Sequence, residues 1–131
     1  MKYDEVISLL EKNGSEINWG DDLGTEDERL LGQIMKEKGD DFYFITKYPL
    51  EAKPFYTMPF EEKYSCGFDL ECKGVELASG SQRIHDVELL KQRIEALGLK
   101  VDDFYSYLHG FRYGMPPHGG FGFGLERFMM E

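Results

Sequence analysis

Apolar residues recur with a helical period in two segments near the start of the chain. The first segment has the spacing i, i+3, i+4, i+7 and consists of Tyr3, Val6, Ile7 and Leu10. The pair Asn13-Gly14 follows it and ends the predicted helix. In the second segment Thr25 and Glu28 predict a capping box, and Gly39 predicts the end of the helix. Its apolar face is formed by Leu30, Leu31, Ile34 and Met35.

Strand patterns follow these helices. Residues 42–46 are aromatic and β-branched, residues 68–72 alternate apolar and acidic side chains, and residues 75–79 come after a turn at Gly74. Residues 53–59 lie between prolines and predict an edge or loop segment. We predict a helix at 87–97 with Asp86 as its N-cap, and a helix at 102–113 whose inward-facing residues include Tyr107. We also predict a short strand at 121–123 and a helix that begins near Leu125. Antiparallel strands mixed with helices indicate an α+β fold.

Composition narrows the class of protein. The chain has 131 residues, of which 41% are hydrophobic, and this is enough for one compact unit with an apolar core. A run of about 18 apolar residues is lacking, so the sequence predicts no membrane span. Its two cysteines, Cys66 and Cys72, lack metal-ligand spacing, and we expect a reduced pair in a cytoplasmic protein. The formal net charge of -10 makes the chain a poor nucleic-acid binder by itself.

The segment 74–85 contains the first set of reactive side chains. A carboxylate and a hydroxyl, Glu76 and Ser79, could together hold Mg²⁺ against substrate phosphates. Strand alternation places Glu76 on one face with Ala78, and we expect Ser79 at the end of the strand. Arg83 offers a planar fork that fits a carboxylate, although a lone arginine of this kind is most often a surface ion-pair partner.

The segment 119–127 contains the second set. Glycines at 120, 122 and 124 strip one face of a strand, so a planar ring could lie directly on the backbone. Arg127 falls in the first turn of the next helix, where it could contact a phosphate or stack on the ring. Close packing is the alternative reason for such glycines. His118, in the loop before the strand, could act as a base or contact a phosphate, but we favour the interpretation that it is a loop histidine near the site without a chemical role.

These segments resemble class II aminoacyl-tRNA synthetases of the aspartate/asparagine type, most of all the archaeal and eukaryotic aspartyl enzymes. Residues 122–127, Gly-Phe-Gly-Leu-Glu-Arg, resemble the core of motif 3, the family's ATP-binding signature, which we extend over 119–130. Residues 74–86 resemble the aspartate-specific strand and loop. The resemblance covers residues 1–131 and implies the C-terminal portion of the catalytic domain: part of an antiparallel sheet core flanked by helices, incomplete at both ends.

The resemblance implies a role for each site residue. Glu76 and Ser79 would ligate Mg²⁺, and Glu76 and Arg127 would be catalytic. ATP would be bound by Glu76, Gly122, Gly124, Leu125, Glu126 and Arg127. The amino acid would be bound by Ser79, Gly80, Gln82 and Arg83, with Arg83 pairing with the side-chain carboxylate of L-aspartate. The implied activity is that of an aspartate–tRNA ligase, which forms aspartyl-adenylate and passes the aspartyl group to tRNA.

The chain also departs from the family pattern. It has no counterpart of motif 1, of motif 2 with its phosphate-binding arginine, or of the anticodon-binding domain. We therefore expect the chain alone to be inactive, tRNA to be bound through other domains, and the full-length enzyme to be a homodimer. The alternatives are an asparagine–tRNA ligase, a non-discriminating enzyme, or a free-standing synthetase-like paralogue that acts as a binding or regulatory module.

Overall fold

A computed structural model describes residues 1–130 of the chain. The helices are α1 (Tyr3–Lys12), α2 (Thr25–Glu37), α3 (Val87–Ala96), α4 (Tyr105–Phe111) and α5 (Leu125–Met130), with 3-10 turns at Leu50–Ala52 and Val101–Phe104. The strands are β1 (Phe42–Thr46), β2 (Pro59–Phe60), β3 (Tyr64–Ser65), β4 (Gly67–Cys72), β5 (Val75–Gln82) and β6 (Gly119–Phe123). This is the α+β architecture that the sequence predicted.

A four-stranded antiparallel sheet is the centre of the fold. Its order is β1-β4-β5-β6, and β2 and β3 form a separate two-stranded ribbon. The turn between β4 and β5 has both of its residues, Lys73 and Gly74, at positive φ (49° and 84°). Such turns match the right-handed twist of the paired strands, so this hairpin brings two segments with reactive side chains side by side.

Two apolar clusters flank the sheet. The first joins α1 and α2 to the β1 side chains that face them, and it contains Tyr3, Val6, Ile7, Leu10, Leu31, Met35, Tyr43, Ile45 and Tyr48. The second packs α3 and α4 around Ile84, just after β5. The opposite face of the sheet carries exposed phenylalanines, including Phe42, Phe44, Phe121 and Phe123.

Helix α2 lies directly on the β4–β5 turn because two glycines meet there. A Cβ atom at Gly32 would lie 2.4 Å from the backbone nitrogen of Gly74, and one at Gly74 would lie 2.5 Å from the carbonyl oxygen of Glu28. Real Cβ atoms do not approach backbone so closely, so only glycine allows this contact at either position. The contact holds the first turns of α2, including Glu28, near the start of β5.

Several predicted elements are confirmed, and others are corrected. β1 has the predicted bounds, and Asp86 caps α3 by accepting a hydrogen bond from the Leu89 N–H at 2.8 Å. The predicted Thr25–Glu28 capping box is wrong: Thr25 is already helical, and the Gly24 N–H donates to Asp27 at 3.4 Å.

Two further boundaries also differ from the prediction. The strand predicted at 75–79 continues to Gln82, because β6 pairs with it as far as Gly119. The helix predicted at 102–113 is a 3-10 turn followed by the shorter α4, and Tyr107, which we expected to face inward, is 40% exposed. Within residues 1–130, no helix combines the length and the apolar character needed to cross a membrane.

Candidate functional site

A β-bulge in the central hairpin decides which side chains share a face. Leu70 pairs with Ala78, whereas the next residue of β4, Glu71, pairs with Glu76, so Leu77 is left as the extra residue of β5. Residues directly opposite each other in antiparallel strands point to the same face. The alternation that we predicted, with Glu76 beside Ala78, is therefore wrong. The bulge turns Glu76 onto the face that also carries Ser79.

The same pairing places the glycines of β6 on this face. Ser79 lies between Asp69 of β4 and Gly122 of β6, and Ser81 lies opposite Gly120. A Cβ atom at Gly122 would meet no atom within 4 Å, so close packing does not explain this glycine. A flat strip of backbone thus lies beside the Ser79 hydroxyl and forms a surface on which a planar ring could rest.

Gly124 has a different role from Gly120 and Gly122. It lies beyond β6, at the start of α5, where its N–H donates to the Leu77 carbonyl at 2.8 Å. A Cβ atom there would lie 3.3 Å from Cδ of Arg127. Gly124 therefore fixes the start of α5 to the bulge and leaves room for the Arg127 side chain.

Arg127 reaches back from α5 to the start of β5. Its Nη1 donates to the Glu76 carbonyl oxygen at 2.9 Å and lies 3.8 Å from Oε1 of the Glu76 side chain. The Arg127 side chain is 58% exposed, and exposed ion pairs contribute little to stability. A polyanionic ligand could therefore separate the two groups without disturbing the fold.

A buried ion pair at the site was missed by the sequence analysis. Lys53 Nζ lies 3.0 Å from Asp69 Oδ2, with the two side chains 11% and 4% exposed, and 3.7 Å from the centre of the Tyr48 ring. The other oxygen of Asp69, Oδ1, has no hydrogen-bond partner. The only signal in the sequence was a lone lysine in the proline-bounded segment, which by itself predicts nothing about a partner 16 residues away.

Glu71 was also missed, although it is 1% exposed and lies on the site face. Burial raises its pKa to about 8, and the nearby carboxylates of Glu28, Glu76 and Asp69 add to the effect. Burial likewise raises the pKa of Glu76, with Asp69 next in importance, while Arg127 and Lys53 act in the opposite direction. The site therefore concentrates acidic groups, and a bound cation would relieve their repulsion.

The oxygen atoms that this site offers suit Mg²⁺ better than a metal ion whose ligands are all protein side chains. Among the described residues no group of three Cys, His, Asp or Glu side chains could hold a metal ion. Glu76 and Ser79 share one face, and this matches a cation that takes one or two protein oxygens and completes its coordination with water and substrate phosphates.

Arg83 lies just past the end of β5, with its side chain directed to the site face. Its Nη1 donates to Ser81 Oγ at 2.7 Å, and its guanidinium carbon lies 4.5 Å from the centre of the Tyr56 ring. Its backbone N–H donates to the His118 carbonyl. The His118 ring is 2.9 Å from Pro116 O, within its own loop, so the geometry gives this histidine no separate role.

The remaining predicted residues are placed less centrally. Gly80 faces the opposite side, where a Cβ atom would lie 2.6 Å from Phe121 Cβ, so close packing explains this glycine. Gln82 is exposed at the end of β5, and Leu125 and Glu126 are exposed in the first turn of α5. The structure thus brings together Glu76, Ser79, Arg83, Gly122 and Arg127, and leaves the side chain of Gln82 outside this group.

One face of the antiparallel sheet thus carries an acid, a hydroxyl, two arginines and a glycine-stripped strand, which is the combination that the resemblance to class II synthetases implied. The family model for tRNA synthetases class II (D, K and N) matches residues 1–131, and the chain belongs to this family.

Proteins with named functions align with nearly the whole of this chain. It is 51% identical over 132 residues to the aspartate–tRNA(Asp) ligase of Pyrococcus furiosus, covering 98% of this chain and 30% of that protein. The aspartyl-tRNA synthetase of Entamoeba histolytica superposes with a TM-score of 0.94 at 41% identity, over 99% of this chain and 28% of that one. The asparaginyl-tRNA synthetase of Pyrococcus horikoshii gives a TM-score of 0.87 at 37% identity, over 97% and 30%. The chain spans less than a third of the length of these proteins.

Proposed function

We propose that this chain forms the ATP- and aspartate-binding part of the catalytic site of an aspartate–tRNA ligase. The observation that carries the proposal is the bulge at Leu77, which puts Glu76 on the same face as Ser79 and the bare backbone of Gly122. A metal-binding carboxylate, a hydroxyl and a flat surface for a base are thereby collected in one place. The resemblance of the motifs and the 51% identity to an aspartate–tRNA(Asp) ligase support the same function.

ATP would lie with its adenine on the backbone of Gly122, because the Arg83 guanidinium already lies over Gly120. Arg127 would exchange its contact with Glu76 for the adenine ring and the γ-phosphate, because its guanidinium can both stack and pair with phosphate oxygens. Glu76 and Ser79 would hold Mg²⁺, which when bound neutralises charge on the phosphates. Freed from Arg127, the Glu76 carboxylate has its oxygens available for this purpose.

The reaction needs positioning and charge neutralisation more than proton transfer. A carboxylate oxygen of aspartate attacks the α-phosphorus of ATP, the bond between the α-phosphorus and the bridging oxygen breaks, and pyrophosphate leaves with the electron pair. The resemblance implies a further arginine, from motif 2, that contacts the α-phosphate and has no counterpart in this chain. We therefore expect the chain to bind ATP and to activate aspartate only together with the rest of the catalytic domain.

Arg83 would read the side chain of the amino acid. A guanidinium can form two parallel hydrogen bonds to a carboxylate, whereas the amide of asparagine offers one acceptor and directs donors at the cation. This favours aspartate. The similarity to an asparaginyl-tRNA synthetase at 37% identity keeps asparagine as the second candidate, and non-discriminating charging of both tRNAs is a question for the complete enzyme.

The test is a chimera in which this chain replaces the matched region of the Pyrococcus furiosus relative. We would measure ATP–pyrophosphate exchange with aspartate or asparagine, alongside the isolated chain and the isolated chain mixed with the rest of the relative. We expect aspartate-dependent exchange by the chimera and none by the chain alone.

Each other outcome has a definite meaning. Exchange by the chain alone would contradict its dependence on the rest of the domain, and asparagine-dependent exchange would replace aspartate with the second candidate. A folded chimera that binds ATP but supports no exchange would favour a synthetase-like binding module. In that case the synthetase proposal fails.

A further inference from the structure

The Arg83 guanidinium is held on several sides before any ligand is present. Its central carbon lies over the Tyr56 ring, 4.5 Å from the ring centre, Ser81 Oγ accepts from Nη1 at 2.7 Å, and the Gly120 carbonyl accepts from Nη2 at 3.4 Å. Ser81 is 3% exposed, so its hydroxyl is not available to bulk water. The orientation of the fork is therefore fixed by the protein rather than by the substrate.

Tyr56 is itself held by backbone pairing, although it lies in an irregular segment. Its carbonyl accepts from the Ile84 N–H at 2.9 Å, and the Met58 N–H donates to the Gln82 carbonyl at 2.9 Å. Thr57, between them, forms a β-bridge with Arg83 and is 1% exposed. The ring next to Arg83 thus belongs to a short added strand along the end of β5 and has a fixed position.

These contacts leave a defined edge of the fork for a ligand. A guanidinium donates in one plane, and the N–H groups not used by Ser81 and Gly120 lie in that plane, away from both acceptors. The Tyr56 ring, with its centre 4.5 Å from the guanidinium carbon, occupies a further side of the group. A planar group with two acceptor oxygens, a carboxylate, matches what remains.

We propose that Tyr56 and Ser81 are positioning residues that determine specificity for a side-chain carboxylate by fixing the orientation of Arg83. This inference rests on the proposed function. Neither residue would touch ATP, which lies on the β6 side of the face. Their loss should weaken binding of the amino acid and leave binding of ATP unchanged.

The experiment compares variants of the chimera described above. Tyr56→Leu removes the ring, Tyr56→Phe keeps the ring and removes the hydroxyl, and Ser81→Ala removes the acceptor of Nη1. Tyr105→Leu is the matched control, because Tyr105 stacks on Arg112 at 5.7 Å on an exposed helix outside the site. The measurements are KM for aspartate, KM for ATP and kcat in the exchange assay, with circular dichroism to check folding.

We expect Tyr56→Leu to raise KM for aspartate roughly tenfold, as a desolvated cation–π contact predicts. Ser81→Ala should raise it about threefold to tenfold, the effect of losing one typical intramolecular hydrogen bond. KM for ATP should stay within about twofold in both variants. Tyr56→Phe and Tyr105→Leu should behave like the unsubstituted chimera.

The outcomes separate this inference from the function on which it rests. If the unsubstituted chimera shows no aspartate-dependent exchange, the proposed function is wrong and the inference falls with it. If exchange is present but KM for aspartate is unchanged in both Tyr56→Leu and Ser81→Ala, the inference alone is overturned. Equal increases in KM for aspartate and for ATP would also overturn it, since they would show a general structural effect. If the Tyr56→Leu variant does not fold, the KM values of the Ser81→Ala variant alone test the inference.

Discussion

Replacing Glu71 with glutamine should stabilise the chain, and more so as the pH rises. Glu71 is 1% exposed, its Oε2 has no hydrogen-bond partner, and Glu28, Glu76 and Asp69 surround it with negative charge. In the folded state the proton is therefore retained, and the pKa rises from the ordinary value of 4.5 to about 8. Glutamine keeps the shape of the protonated acid and has no proton to lose.

The magnitude follows from proton linkage. Below pH 4.5 Glu71 is protonated in both the folded and the unfolded chain, so it adds no pH dependence. Between pH 4.5 and about 8 the unfolded chain releases the proton while the folded chain keeps it, so the free energy of unfolding falls as pH rises. At about 1.36 kcal/mol per pH unit, the loss is roughly 3 kcal/mol at pH 7 and roughly 5 kcal/mol above pH 8. This is a large part of the stability of a small domain, which is about 5–15 kcal/mol.

Urea unfolding of the chain and of its Glu71→Gln variant, followed by circular dichroism at about pH 5, 7 and 8.5, measures this difference. The gain from the substitution should be below about 1 kcal/mol at pH 5 and grow to several kcal/mol at pH 8.5. Glu11→Gln, at an exposed position on α1, is the matched control and should change little at any pH. A gain that does not increase with pH would refute the argument, because it would show that Glu71 ionises in the folded chain as easily as in the unfolded one.

Three further changes test other parts of the structure. Lys53→Met should destabilise the chain by about 3–5 kcal/mol in thermal or urea unfolding at neutral pH, because it leaves the Asp69 carboxylate buried without its cation; a loss below about 1 kcal/mol would contradict the buried pair. Gly32→Ala should destabilise by about 2 kcal/mol or more because its Cβ would overlap the β4–β5 turn, whereas Gly110→Ala, with open space around it, should be neutral or stabilise by up to about 1 kcal/mol. Gly122→Val should leave the melting temperature nearly unchanged but abolish ATP binding in a fluorescence or calorimetric titration, and retained binding would show that no base lies on the strand.

Much of the local structure follows from residues that are neighbours in the chain. The apolar stripe of α1, the bounds of β1 and the Asp86 cap of α3 depend on side-chain periodicity and on a hydrogen bond between residues three apart, and all were predicted correctly. The glycine pattern of β6 and the position of Arg127 at the start of the next helix are equally local.

The start of α2 was predicted wrongly because several neighbouring residues could each act as the N-cap of this helix. In α2 the N-cap residue is Gly24 and not Thr25. The Asp27 carboxylate accepts a hydrogen bond from the Gly24 N–H, and it also accepts one from the Ser15 hydroxyl at 2.6 Å. That second contact lies 12 residues back along the chain and could not be read from the capping pattern alone.

The chemistry of the site was settled by contacts between distant parts of the chain. Whether Glu76 shares a face with Ala78 or with Ser79 depends on where β5 pairs with β4, and alternation along a single strand contains no information about a bulge. The Lys53–Asp69 pair and the burial of Glu71 likewise exist only once α2, the segment before β2 and the sheet have packed together. The sequence determined which reactive groups are present and on which elements they lie, and tertiary pairing decided which of them meet, because register and burial are properties of two segments at once.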